Sequence, residues 1–352
     1  MKILITSQFY YPEIGGLNPI AQLSAREFIR RGHEVRLLTG TAGTFEGEHE
    51  FPIFRRGKFR ATLDHYRWCD VVFQNHLTIR YSLPLFFVRR PFVLSMTSWI
   101  DLKAGRTTGA WTFRSAIVKL FFAQMLRRAT RNIAACPAIA SAQRVPSRII
   151  PNPFDAEGFR NERRPNRSRD LLFIGRLVTD KGVDDLLRAL AAVRAAGFDV
   201  GLTIAGDGNE LGPLTALARD LGLSEKVRFV GPKKNKEVMA LMNSHEVMVI
   251  PSKWNEPIGI VALEAIACGC VVIGSEGGGL ATTIGPCGLT YPNGDHRKLA
   301  EKIIEVLRLE GRLDIFTKNA AAHLARYRPE RVCGEYLEEL VAAHEEFCTK
   351  GK

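Results

Sequence analysis

The sequence predicts an α/β protein built from two parallel-sheet domains, and three features carry that reading. Short apolar strand-like runs alternate with helix-length patterns through the first half of the chain, and the alternation restarts at Leu171-Leu172-Phe173-Ile174-Gly175. Between the two runs lies Gly158 to Ser168, polar, charged and short of apolar anchors, which reads as an interdomain linker with a cleft beside it. A length of 352 residues also exceeds what one core usually holds.

In order along the first domain, taken as residues 1–165, strands are expected over Lys2–Thr6, Val35–Leu38, Val71–Gln74, Phe92–Ser95, Asn132–Ala135 and Arg148–Ile150. Trp111 to Arg131 reads as one helix, broadly apolar from Ala116 to Leu126 and basic at its end. In the second domain, residues 166–329, strands follow over Leu171–Gly175, Gly201–Ala205, Val227–Val230, Val247–Ile250 and Val271–Ile273. After Pro329, residues Glu330 to Phe347 form a last helix, with Val332, Tyr336, Leu340 and Val341 spaced for one face.

Composition excludes several classes. The apolar run Met1 to Thr6 is far too short for a secretory signal, and no stretch approaches the ~20 apolar residues of a membrane-spanning helix. Seven scattered cysteines without paired C-x-x-C spacing argue for a reducing compartment and against a zinc site or a disulfide framework; Cys268 and Cys270 read as small buried residues. The net charge of +12 is uneven: residues 1–165 hold 25 Lys and Arg against 12 Asp and Glu, while 166–352 net to −1. A basic half implies an anionic partner, and nucleic acid is the weakest choice because no binding motif or basic-aromatic ladder accompanies the charge.

The chemistry concentrates in Glu256-Pro257-Ile258-Gly259-Ile260-Val261-Ala262-Leu263-Glu264. A strand precedes it and a second strand follows Cys268-Gly269-Cys270, so it forms the loop and helix of a βαβ unit, with ligand groups at the strand's carboxyl end. A helix N-terminus offers unpaired amides and partial positive charge to a diphosphate. Each ionised carboxylate accepts hydrogen bonds only, which suits a vicinal diol. Taken as wholly helical, the eight steps from Glu256 to Glu264 advance ~12 Å, close to the span of a sugar diphosphonucleoside. The stretch therefore points to a nucleotide-sugar.

These residues and their neighbours resemble the family 4 glycosyltransferases, retaining enzymes of the GT-B architecture, over nearly the whole chain. The parts fall in the family's order: Tyr11-Pro12-Glu13-Ile14-Gly15-Gly16, Arg31-Gly32-His33-Glu34-Val35, Ile149-Ile150-Pro151-Asn152, Gly175-Arg176-Leu177 with Asp180-Lys181-Gly182, Ile204-Ala205-Gly206-Asp207-Gly208, Val227-Arg228-Phe229-Val230-Gly231, and the two-glutamate stretch. The resemblance implies two Rossmann-like domains facing a central cleft, with the C-terminal helix crossing back to the first. It implies that Arg176 and Lys181 grip the donor diphosphate, Glu256 contacts the donor sugar, and Glu264 holds the ribose. The amides of Gly259, Ile260 and Val261 would lie near phosphate and sugar, Val230 and Gly231 near the base, and Gly15 and Gly16 would approach the diphosphate from the opposite domain. A guanidinium fork and an ammonium can offset phosphate charge without a metal, so no metal or other cofactor is expected.

Two positions depart from the pattern: Pro153 follows Asn152 where the family usually has glycine, and the other lies in the catalytic neighbourhood. Members commonly carry a histidine after the strand that here ends Ser95-Met96, and Thr97-Ser98 stand there instead; Asp101 and His76 are the nearby candidates to compensate. The expected activity is transfer of a sugar from a UDP- or GDP-sugar to a glycan or lipid-linked acceptor in cell-surface polysaccharide assembly, in the cytoplasm. The basic half adds an anionic membrane surface as a further candidate partner. The competing readings are a nucleotide-sugar epimerase of the same architecture and a nucleotide-sugar-binding protein whose catalysis decayed with that histidine.

Overall fold

The computed structural model describes residues 1–11, 17–43, 51–55, 57–100, 113–143, 145–310 and 312–350, with backbone alone at 17–18 and 113–116. The chain divides into two compact units, Met1–Pro153 together with Tyr327–Lys352, and Phe154–Arg326.

Among the described residues, the first unit holds a seven-stranded sheet: β1 (Lys2–Ser7), β2 (Glu34–Thr39), β3 (Ile53–Arg55), β4 (Val71–Asn75), β5 (Phe92–Met96), β6 (Arg131–Ala134) and β7 (Arg148–Ile149). All pairings are parallel, in the order β3-β2-β1-β4-β5-β6-β7. The central strands are continuous apolar runs because both their faces are covered: Ile3, Leu4, Ile5, Val71, Val72, Phe73, Val93 and Leu94 have no exposed surface. Strand order reverses between β1 and β4, whose carboxyl ends pair as Ser7 with Asn75.

The final helix, Pro329–Lys350, opens on a proline, which costs nothing at a first helical position where the N–H has no partner within the helix. It packs on this first unit, as the sequence reading expects. Tyr336 is fully buried with its ring 5.2 Å from that of Phe73, and its hydroxyl donates to the Pro151 carbonyl at 3.0 Å. Arg31 donates to the Glu330 carbonyl at 2.6 Å, and Arg148 pairs with Glu338 and Glu339 at 3.0 Å.

The second unit holds a six-stranded parallel sheet of β8 (Ser168–Ile174), β9 (Leu202–Ala205), β10 (Val227–Phe229), β11 (His245–Ile250), β12 (Val271–Ser275) and β13 (Gly288–Tyr291), ordered β10-β9-β8-β11-β12-β13. The reversal falls between β8 and β11, where Val247 pairs with Leu171. One core joins Phe173, Ile204 and Val249 to Leu186, Leu190 and Val193 of the helix Val183–Ala195, and to Leu299 and Ile303 of the helix His296–Leu307. A second joins Leu172, Met248 and Val272 to Ala262, Ala265 and Ile266 of the helix Ile260–Ala267. Cys268 and Cys270 are buried in that second core, their thiols pushed up to about 12 and about 11 by burial.

Three details differ from the sequence reading. The edge strands β3 and β13 add to the expected set. The helix read over Trp111 to Arg131 covers Phe113–Arg128, because Arg131 already pairs with Val93 as the first residue of β6. The segment read as a linker is bonded into the second unit, and the units divide at Pro153 rather than near residue 165. The cause is a set of buried polar anchors. Asn243 accepts from the Glu162 amide at 2.7 Å and donates to the Arg160 carbonyl at 3.0 Å, Phe159 is buried, and Arg167 donates to the Gly269 and Met242 carbonyls at 2.7 Å.

Candidate functional site

The carboxyl ends of β8 and β11 flank the point where strand order reverses in the second sheet, the position where open α/β sheets leave room for a ligand. After β11 the chain runs through Pro251 and Ser252 to Glu256, which is buried and forms an isolated parallel bridge with Gly278. The Gly279 amide donates to the Glu256 carbonyl at 2.8 Å, so this residue's backbone is fixed from β12's side. Its side chain is fixed from the other: Ser252 donates to Oε1 at 2.7 Å, and the Lys181 ammonium pairs with the same oxygen.

Lys181 arrives from β8. It closes a single tight turn, Thr179–Lys181, two residues ahead of the helix Val183–Ala195, rather than lying in that helix's first turn. Gly182 follows in a left-handed conformation (φ 67°), and a Cβ there would meet the Pro251 carbonyl oxygen at 1.9 Å. Glycine thus lets the β8 turn press against the end of β11. Lys253 locks the same junction, its amide donating to the Asp180 carbonyl at 2.9 Å and its ammonium pairing with Asp184 at 2.6 Å. Arg176 extends from the loop after β8, exposed and without a bonded partner among the described residues.

Gly259, also left-handed (φ 73°), caps the helix Ile260–Ala267 and lies against Leu280, whose Cδ1 would be 2.6 Å from an added Cβ. The Ala262 amide turns back to the Gly259 carbonyl at 2.8 Å, while the Ile260 and Val261 amides precede the first intrahelical bond and remain available to an anion. Only four helical steps separate Ile260 from Glu264, so the helical span of ~12 Å expected between the two glutamates does not hold; Glu256 lies in the loop. Glu264 is half-buried, one turn after Ile260 on the same face, and its carboxylate accepts no hydrogen bond among the described residues. Burial, with a smaller contribution from the negative charge of Asp155, pushes its carboxyl up to about 7. Val230 and Gly231 continue from β10, the Val230 amide donating to Ile204 at 2.9 Å and the Gly231 carbonyl accepting from Gly206 at 3.0 Å.

Arg176, Lys181, Glu256, the amides of 259–261, Glu264, Val230 and Gly231 therefore all lie on loops or helix starts that follow strands of one sheet, on its carboxyl edge. In the first unit, Thr97 and His76 lie at the corresponding edge, after β5 and β4. Thr97 is buried, its hydroxyl unbonded among the described residues. His76 has left-handed backbone (φ 73°), its amide donates to the Ser95 carbonyl at 2.9 Å, and its Nδ1 is buried without a partner among the described residues. Burial pushes its imidazole down to about 4, which keeps it neutral at ordinary pH. Gly15, Gly16 and Asp101 lie outside the described residues. Among the described residues no group of three or more His, Cys, Asp or Glu is placed to hold a metal ion.

Sequence reasoning missed Ser252, Lys253 and Asn293. Asn293 ties the loop from within, donating to the Trp254 carbonyl at 3.0 Å and accepting from the Gly277 amide at 2.8 Å. Ser252, one residue after Pro251 at a strand end, carried a signal; Asn293, 37 positions beyond Glu256 in sequence, carried none.

Residues 155–323 match the family of glycosyl transferases group 1. A D-inositol 3-phosphate glycosyltransferase of Corynebacterium jeikeium is 33% identical over 172 residues, 46% of this chain and 41% of its own length. A GDP-mannose-dependent monoacylated alpha-(1-6)-phosphatidylinositol monomannoside mannosyltransferase of Corynebacterium glutamicum is 32% identical over 173 residues, 47% of this chain and 45% of its own. The matched segment thus spans less than half of these relatives. Over the whole chain the fold is that of Anabaena Alr3699/HepE, solved with UDP and glucose: TM-score 0.80 at 21% identity, covering 97% of this chain and 100% of that one. The architecture is GT-B.

Proposed function

We infer that this chain, whose residues 155–323 match the group 1 glycosyl transferases, is a retaining glycosyltransferase that moves a hexose from a UDP- or GDP-sugar to a glycan or lipid-linked acceptor. The observation that carries the reading is the convergence of Lys181 and Ser252 on one oxygen of buried Glu256, where strand order reverses, with the amides of the 260–267 helix close behind in sequence. The UDP and glucose of the Anabaena structure and the GDP-mannose of the Corynebacterium glutamicum relative support the donor class.

In this reading the diphosphate meets the Ile260 and Val261 amides and the Arg176 guanidinium. Lys181 keeps one N–H on Glu256 and turns the others to phosphate. Glu256 orients the sugar, Glu264 takes the ribose diol, and Val230 and Gly231 border the base. As the bond from the sugar carbon to the phosphate oxygen breaks, negative charge grows on that oxygen, where Arg176 and Lys181 stabilise it without a metal. The acceptor hydroxyl bonds to the same carbon on the same face and passes its proton to the departing phosphate oxygen. Thr97 is then tolerable, and neutral His76 is a hydrogen-bonding group rather than a cation. The work belongs to cell-surface polysaccharide assembly, in the cytoplasm at the inner face of the membrane.

A thermal-shift screen of UDP- and GDP-sugars identifies the donor, and turnover is then followed with chelator present. Arg176→Ala and Lys181→Ala should each lower kcat roughly 10²–10³-fold with smaller effects on KM. Unchanged turnover in the double variant would overturn the assignment.

A further inference from the structure

Seven large apolar side chains of the first unit stand exposed in three neighbouring segments: Phe59, then Ile79, Leu83, Phe86 and Phe87, then Ile117 and Leu120. They form one connected ridge. The rings of Phe59 and Phe87 meet edge to face at 5.5 Å, and Phe86 stacks on Phe121 at 5.8 Å. Ile117, Leu120 and Phe121 are helical neighbours at three- and four-residue spacing on the helix Phe113–Arg128. The protrusion is pronounced: Leu120 is 73% exposed and Phe87 66%. Isolated exposed apolar residues need no explanation, but a contiguous ridge of this kind on a globular surface marks a contact.

Its charge identifies the contact. Residues 59–68, 79–90 and 117–128 together hold eight Lys and Arg against one acid, Asp64, which is itself paired with Arg67 at 2.7 Å. Arg60, Arg80, Arg89 and Arg127 are exposed around the ridge, and Arg128 lies over the Phe86 ring at 4.3 Å. A second copy of the same surface would bring cation against cation, and an apolar protein groove would leave the arginines without counter-charges. An anionic bilayer satisfies both halves, since phosphates meet the arginines while Phe87 and Leu120 enter the boundary between headgroups and acyl chains.

We propose that this ridge is a docking surface for an anionic lipid membrane. It deepens the lipid-linked acceptor reading above by naming the surface that would bring the chain to such an acceptor. Binding itself rests only on the first unit, whereas the nucleotide-sugar residues Arg176, Lys181, Glu256 and Glu264 lie in the second.

The test is co-sedimentation of the full chain with vesicles of phosphatidylcholine, with and without phosphatidylglycerol, at low and high salt. The protein should pellet with the anionic vesicles at low salt, less at high salt, and little with phosphatidylcholine alone. Phe87→Ser with Leu120→Ser should lower partitioning at least about tenfold. Arg80→Gln with Arg127→Gln should lower it only on anionic vesicles, by roughly fivefold per arginine. All four positions are exposed, so melting temperature and donor-induced thermal shift should stay as in the parent protein and report any failure to fold. Absence of pelleting, pelleting that neither variant changes, or a sedimenting dimer that the Phe87 and Leu120 variant dissolves would each overturn the proposal. A donor shift without vesicle binding removes this inference alone; vesicle binding without any donor shift removes the transferase reading instead.

Discussion

Glu264 has a half-buried carboxyl whose ionisation is set near pH 7 by burial and Asp155. Only the carboxylate form accepts from both hydroxyls of a ribose diol, so binding should pull its proton off. Affinity for a nucleotide-sugar, whose diphosphate does not titrate in this range, should rise with pH from 6 and level off above about 7. The rise approaches tenfold per pH unit at its steepest. Calorimetric titration of the parent and of Glu264→Gln checks this: the variant should bind more weakly and without that slope, and a parent affinity flat from pH 6 to 8 would remove Glu264 from the diol. The His76 pKa is shifted the other way, downward. Its folded value of about 4 lies below the ordinary 6.5, so the unfolded chain binds more protons between those limits and stability falls as pH drops through that window. The loss reaches up to about 3 kcal/mol from this residue. His33, His65, His245 and His323, all lowered chiefly by burial, add to the slope. Asparagine tolerates left-handed backbone, so His76→Asn should keep the fold and flatten the acid limb of stability measured by denaturant between pH 6.5 and 4. An unaltered limb would mean that the imidazole is not held neutral.

At the scale of elements, legibility followed burial. The central strands β1, β4, β5, β8, β11 and β12 each carry a short apolar run covered on both faces, such as Leu171–Phe173 in β8 and Val247–Ile250 in β11, and those runs stand out without any alignment. The edge strand β3 is three half-buried residues, Ile53-Phe54-Arg55, and β13 opens with a glycine, so neither carries the pattern. The polar segment 158–168 misled because its anchors, Asn243 and Arg167, bond to backbone groups distant in sequence, which composition cannot reveal. The glutamate pair was legible as chemistry but not as geometry: with Gly259 as its cap, the helix starts only at Ile260, four residues beyond Glu256. That delay gives the element its own test. Gly259→Ala forces a Cβ into left-handed backbone and against Leu280, at a cost of about 1–3 kcal/mol. Since the same residue aims the Ile260 and Val261 amides, donor affinity should fall by more than the modest drop in melting temperature accounts for. A variant that loses stability yet binds donor normally would detach those amides from the diphosphate.

Across the whole molecule, each unit has its own sheet, and the chain's last 26 residues belong with its first 153. The crossing helix is therefore part of the first unit's stability: fully buried Tyr336 packs on Phe73 and bonds Pro151. Among the described residues, those proposed for the donor, Arg176, Lys181, Glu256 and Glu264, lie in the second unit. Two cooperative transitions should follow in calorimetry, each movable separately. Tyr336→Ala removes a buried aromatic and its hydrogen bond, a loss of about 3–5 kcal/mol, and should lower one transition by roughly 6–20 °C. A nucleotide-sugar at a hundred times its dissociation constant adds about 2.7 kcal/mol to the state it binds, and should raise the other transition by roughly 5–10 °C. The variant should leave the ligand-sensitive transition in place, because ligand and substitution act on different units. A single transition shifted by both would show instead that the two units unfold together.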